Sequence, residues 1–225
     1  MLIQILRQLV CGRDTFIRHL CVRELLRQMD VKTVIDVGGE GRLGLFIRNA
    51  RVSTANVHKG EGIDHLISGK TMPFADASFD AAVSVDTLEH LPGEARPHFI
   101  EEMFRVSRIG IIVCAPLGTP QHNQYEKQLL VNGVVADADA KYLQEHVDNG
   151  LPTPDEVASL ASKYHGSLLY QGDFRGHVRG FKHRIYNLIR NLITNLGSAI
   201  FWNKDKILNT KHTPYTNRFF LVAFK

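Results

Sequence analysis

The stretch that most constrains the fold runs from Thr33 to Phe46, reading Thr-Val-Ile-Asp-Val-Gly-Gly-Glu-Gly-Arg-Leu-Gly-Leu-Phe. β-Branched residues lead into the carboxylate of Asp36, and after Val37 three glycines fall within four positions before an apolar segment resumes. This pattern reads as strand, tight turn and helix, the opening of a parallel βα unit. Glycine suits such a turn because it accepts φ > 0 and because a Cβ would hold the backbone away from a bound ligand. Asp36 stands at the carboxyl end of the strand, where an open α/β sheet binds its ligands.

The spacing separates cofactor classes. A dinucleotide fingerprint would place its acidic residue about 20 positions after the glycines, and a P-loop would follow them with a lysine. Here the acid precedes the glycines, which suits a ligand carrying positive charge. Asp36-Val37-Gly38-Gly39 followed by Gly41 resembles motif I of the class I S-adenosylmethionine-dependent methyltransferases. Glu40 and Arg42 stand where that family's later glycines fall, so the match departs from D-x-G-x-G-x-G.

Two further stretches carry the resemblance. Met72-Pro73-Phe74-Ala75-Asp76-Ala77-Ser78-Phe79-Asp80 is similar to the L-P-F-x-D-x-S-F-D segment that precedes the fourth strand in small-substrate methyltransferases, and Asp86-Thr87-Leu88-Glu89-His90-Leu91 is similar to the D-x-L-E-H element that follows it. The resemblance implies a Rossmann-like, doubly wound α/β sheet of seven mostly parallel strands, with N-terminal helices and helical insertions. It implies S-adenosylmethionine as cofactor, held by Asp36, Gly38, Gly39, Gly41, Asn56, Ser68, Gly69 and Asp86. Asn56 replaces the acid that normally meets the ribose hydroxyls, and Ser68 replaces the aspartate that meets the adenine amino group. His90 and Asp86 are the first candidates for general base, His122 and His146 the second.

Composition permits this architecture and little more. A chain of 225 residues, 44% hydrophobic, can bury one substantial core. Cys11, Cys21 and Cys114 are odd in number and widely spaced. They indicate neither a disulfide framework nor a zinc site, and no metal is expected. The apolar opening is broken by Arg7 and reads as no signal peptide, and no run approaches the roughly 20 apolar residues of a membrane span. The expected location is cytoplasmic, with peripheral attachment to the inner membrane as an extension.

The alternation of strands and helices from residue 33 to 116 gives one domain of 1–225. It divides into N-terminal helices (1–30), a cofactor-binding half (31–118), a lid or substrate insertion (119–153) and a C-terminal half (154–225). Apolar positions in 1–29 are broken at Gly12-Arg13-Asp14, with Asp14 or Thr15 as the cap of a second helix. Strands are expected at 33–37, 51–56, near 65, 81–85, 109–116, 167–170 and 218–224. A helix at about 181–201 carries Phe181, Ile185, Leu188, Ile189, Leu192, Ile193, Leu196 and Ile200 on one face and Asn187, Asn191 and Asn195 on another. That apolar stripe reads as core or dimer contact, or as a membrane-surface helix.

The net charge of +4 is unevenly spread: residues 166–225 hold ten Lys/Arg against two Asp/Glu, residues 119–165 three against seven. The basic tail points to an anionic partner. The insertion, with His122, Glu126-Lys127, Glu145-His146 and Gly150-Leu151-Pro152, resembles methyltransferases of bacterial surface-polysaccharide synthesis. The leading expectation is therefore O-methylation of a sugar or other small acceptor, with a lipid-linked glycan or an anionic membrane surface as partner and a homodimer left open. An RNA methyltransferase is the rival of another class. It is disfavoured because no RNA-binding module or N/D-P-P-[FY] element is present. A non-catalytic binding protein with a degenerate cofactor pocket is the third reading.

Overall fold

The computed structural model describes residues 2–68, 71–133, 137–176 and 184–225. Strands β1 (Thr33–Val37), β2 (Arg51–Asn56), β3 (His65–Leu66), β4 (Phe79–Val85), β5 (Ser107–Pro116), β6 (Ser167–Asp173), β7 (Leu208–Asn209) and β8 (Thr216–Phe224) form one sheet in the order β3-β2-β1-β4-β5-β8-β6-β7. Neighbours from β3 to β5 are parallel, and β8 enters antiparallel between β5 and β6. The order reverses between β1 and β4, which creates a crevice at their carboxyl ends.

The sheet has eight strands where the sequence predicts seven. The extra one is Leu208–Asn209, which pairs with Tyr170 and Gln171 at the edge. Two residues offer no alternation from which a strand could be read.

Successive strand residues feed opposite faces, as a twofold repeat requires. Ile111, Val113, Phe219 and Leu221 join one core with Ile100 and Met103 of α4 (Arg96–Val106) and Val157 of α7 (Pro154–Lys163). Ile112, Cys114, Phe220 and Val222 join the other with Phe16, Leu20 and Leu25 of α2 (Arg13–Leu26) and Leu43 of α3 (Leu43–Phe46). The helix expected at 154 begins with Thr153 and Glu156 in a reciprocal capping box and Pro154 at its first turn.

Two local expectations fail. Neither Asp14 nor Thr15 caps α2: Gly12 is the cap residue and offers no side-chain bond, while Asp14 lies inside the first turn and pairs with arginines. For the helix α8 (Arg184–Ile200) the core reading of its apolar stripe fails, while the dimer and membrane-surface readings stay open. Its asparagines turn inward, where Asn195 Nδ2 donates to the Leu9 and Cys11 carbonyls at 3.0 and 2.9 Å and Asn191 reaches Val10. These carbonyls end α1 (Leu2–Val10) and lack intrahelical partners, so the amides act as its cap. The apolar stripe therefore faces outward, with Leu188, Ile189, Ile193, Leu196 and Ile200 exposed. It is not core. Phe181, Arg179, Lys182 and Gly69 lie outside the described residues.

The insertion forms two helices, α5 (Pro120–Val131) and α6 (Asp137–Asn149), and α9 (Lys204–Ile207) follows α8. Among the described residues no helix is long and apolar enough to cross a membrane.

Candidate active site

A cleft of about 1550 Å³ opens over the carboxyl ends of β1 and β4. Single-ligand sites usually fall near 300–1,000 Å³, so this one has room for two molecules side by side. One end is built by the turn after β1. Gly38 has φ +80°, and a Cβ on it would meet Thr87 Oγ1 at 2.3 Å; a Cβ on Gly39 would meet Asp36 Oδ2 at 2.0 Å. A side chain at either position would have to displace Thr87 or the Asp36 carboxylate, and Gly38 adds a backbone conformation that other residues rarely adopt.

Asp36 lies beneath that turn, 2% exposed, and its Oδ1 has no hydrogen-bond partner. Burial alone pushes its carboxyl up to about 7. Asn56 braces the same turn: its Nδ2 donates to the Gly38 and Gly39 carbonyls at 3.1 and 2.9 Å, and its Oδ1 accepts from His58 N at 3.0 Å. Gly41 packs against Gly62, and Ser68 is exposed; neither lines the cleft.

Asp86 closes the floor after β4 with a left-handed backbone, φ +53°. One oxygen accepts from Arg218 at 2.7 Å and the other pairs with Arg18 at 2.9 Å; both arginines also hold Asp14. Burial works against its ionisation, yet the Arg18 and Arg218 guanidiniums hold it below the usual carboxylate range. A carboxylate so committed is a fixed charge and a poor proton acceptor.

The other end of the cleft is lined by a single turn, Leu88–His90, and by α5 and α6. His90 Nδ1 faces Glu145 Oε2 at 2.9 Å, and His146 Nδ1 faces Glu126 Oε1 at 3.3 Å. The two imidazoles lie 4.7 Å apart between ring centres. Glu89, 1% exposed, adjoins them; burial and then the nearby Asp86 charge push it up to about 8. Burial and the neighbouring His146 lower His90. His146 is raised: burial opposes its charging, but Glu126 overrides that. His122 is buried further in, with Nδ1 against the Leu117 carbonyl at 3.0 Å and its ring stacked on Phe174.

The structure thus brings Asp36, Gly38, Gly39, Asn56, Asp86 and His90 to one cleft. Sequence reasoning passed over Glu89, Arg18 and Arg218. Glu89 carried a signal, a carboxylate beside the histidine of the strand-end motif, and Arg218 another, a charge opening an apolar strand.

Residues 47–114 match the family model described as "Methyltransferase domain", a span that begins after the glycine turn. A search of curated proteins found no match. Among solved structures, the fold is similar to an S-adenosylmethionine-dependent methyltransferase from Archaeoglobus fulgidus, at 12% identity and a TM-score of 0.52, covering 92% of this chain and 94% of that one. The methyltransferase domain of a bacterial CtHen1 gives 16% identity and 0.51 over 92% and 97% of the two chains. The plantazolicin methyltransferase BpumL, solved with a pentazolic desmethylPZN analog and SAH, gives 11% and 0.55 over 95% and 87%. The domain match and the fold together support an enzyme, an S-adenosylmethionine-dependent methyltransferase.

Proposed function

We propose that the chain transfers a methyl group from S-adenosylmethionine to an oxygen of a sugar or other small acceptor. One observation carries this reading: a single cleft joins a partnerless buried carboxylate beside a glycine turn to a histidine and glutamate cluster under a helical insertion. The residues fit the cofactor. Asp36, Gly38 and Gly39 would hold its cationic end, with Gly41 shaping the turn. Asn56 keeps an oxygen lone pair for a ribose hydroxyl. Ser68 stands exposed outside the cleft, so the adenine would be bordered by Val57 and Ile67 instead, and Asp86 would close the floor.

Bound there, S-adenosylmethionine supplies a methyl carbon already activated by its sulfonium. The chain then has two tasks. Holding the acceptor in line with that carbon contributes on the order of 7–11 kcal/mol. His90, anchored through Nδ1 by Glu145, presents Nε2 toward the acceptor and takes its proton, an effect of about 10²–10⁴-fold. Titration calorimetry with S-adenosylmethionine is expected to show binding that Gly39→Val abolishes, because the side chain would collide with Asp36. His90→Ala should keep that binding and lower turnover by roughly 10²–10⁴. A native protein that binds no cofactor, even in large excess, would return the chain to the degenerate-pocket reading.

The acceptor we favour is a glycan carried on a lipid. The exposed apolar stripe of α8 and the basic tail support it, since a lipid-linked pyrophosphate offers an apolar anchor and an anion. Arg175 adds less than its charge suggests, being paired with Asp173 at 2.6 Å and stacked over Tyr215. Each basic residue near an anionic surface contributes about 1 kcal/mol, and that benefit fades within a Debye length. Binding to anionic vesicles should therefore weaken steeply between low and physiological salt, and Ile193→Ser with Ile200→Ser should remove it. Salt-insensitive retention, equal in native and substituted proteins, would assign the stripe to a homodimer instead.

A further inference from the structure

We propose that Glu89, His90 and His146 bind a divalent transition-metal cation at the acceptor end of the cleft. One ligand atom from each lies within 4.8 Å of the others. Ligands placed tetrahedrally around a cation at about 2.1 Å are roughly 3.4 Å apart, so the set closes on an ion with side-chain shifts of about one ångström or less.

Three observations point to a cation and away from an ordinary polar cluster. Glu89 Oε2 and His146 Nε2 are buried without any hydrogen-bond partner, although a bond between them would satisfy both. Buried polar atoms left in this state are costly and call for a ligand. Each histidine meets a carboxylate through Nδ1, His90 through Glu145 and His146 through Glu126. That arrangement fixes the tautomer, with the Nδ1 proton donated to the carboxylate and the Nε2 lone pair free to coordinate. The backbone that carries the three is also braced. Arg96, 2% exposed, donates to the Leu88, Leu91, Asn149 and Gly150 carbonyls, and Asn149 Nδ2 donates to the His90 carbonyl at 2.9 Å. The turn bearing Glu89 and His90 is thereby tied to the end of the helix bearing His146. Sites of this kind work when their supporting contacts are already in place.

Two imidazoles and one carboxylate suit Mn²⁺, Fe²⁺, Co²⁺ or Zn²⁺, and leave coordination positions open. The use of those positions rests on the methyl transfer proposed above; the binding itself does not. An acceptor hydroxyl on the cation loses its proton to solvent, and its oxygen forms the new bond to the methyl carbon as the carbon–sulfur bond breaks and its electron pair stays on sulfur. With the cation bound, His90 is a ligand and no longer the base.

Mn²⁺ titration of the purified protein, followed by the electron paramagnetic resonance of free Mn²⁺, tests the site. One ion per chain is expected, with selective broadening of the His90 and His146 ring resonances. Glu126→Gln, which removes an orienting carboxylate outside the ligand set, should weaken binding about 10–100-fold. His146→Gln and Glu89→Gln, if their circular dichroism shows them folded, should weaken it further. A native protein that takes up no Mn²⁺ or Co²⁺, or that binds it without broadening those two rings, overturns the proposal. Cofactor binding measured on the same sample separates the two readings: a site without Mn²⁺ but with S-adenosylmethionine refutes only the cation, and the converse only the methyl transfer.

Discussion

Asp36→Asn is expected to raise the melting temperature of the ligand-free protein at pH 8 and to abolish its stabilisation by S-adenosylmethionine. Asp36 is buried with one oxygen unpartnered, and burial lifts its carboxyl from 3.8 to about 7. Because the folded value lies above the unfolded one, the stabilisation this group gives is complete below about pH 4 and is lost as pH rises through about 7. Above that, the ionised form costs the fold on the order of 4 kcal/mol, three pH units at about 1.4 kcal/mol each. Asparagine removes the charge but brings an amide with its own desolvation cost of about 1–3 kcal/mol. A net gain of about 1–3 kcal/mol remains, near 2–12 °C for a chain of this length. Native cofactor affinity should fall about tenfold per pH unit below about 7, since a cationic ligand needs the carboxylate ionised. Identical melting profiles between pH 5 and 8 for the native protein and the Asp36→Asn variant would show that Asp36 is already neutralised by other means.

Arg218→Met is expected to destabilise the protein by about 3–5 kcal/mol, measured by urea denaturation. Its side chain, 4% exposed, reaches Asp86 from one terminal nitrogen and Asp14 from the other, at 2.7 and 2.6 Å. Removing it leaves two carboxylates sharing Arg18, which still touches both. That sharing places the effect toward the lower end. Arg218→Lys should recover only part of the loss, because an ammonium cannot span both carboxylates as the planar fork does. A loss below about 1 kcal/mol in both variants would mean that Arg18 alone satisfies the ring. Since Asp86 closes the floor of the cleft, cofactor binding should weaken along with stability.

What the residues disclosed, and what they withheld, follows from range. The βα unit at Thr33–Phe46, the strand at Ala81–Val85 and the continuous apolar run of Phe219–Ala223 are set by local sequence pattern and turn chemistry, and they appear where expected. The partnership of Arg218 with Asp86 spans 132 positions and has no local signature. The spacing 89, 90 and 146 likewise carries none, for its members meet only because α6 folds over the strand-end turn. On α8 the pattern was visible and its orientation was not: asparagine is polar, but here it answers the open carbonyls of α1, and that decides which face turns inward. Asn56 shows the same limit: its identity pointed to a ribose contact, while the bonds from its amide to the Gly38 and Gly39 carbonyls, which brace the turn, had no local signature.

Arg96 has a consequence for how this enzyme could acquire a new acceptor. Its guanidinium joins the strand-end turn, the last residues of α6 and, through Glu156 at 3.0 Å, the first turn of α7. The insertion is therefore no interchangeable cassette. A chimera that grafted the corresponding segment of another methyltransferase between β5 and α7 would strand a buried cation and slacken the turn that carries Glu89 and His90. Divergence in acceptor choice must then proceed residue by residue inside the cleft, or else transplant Arg96 and its carbonyl partners as one unit.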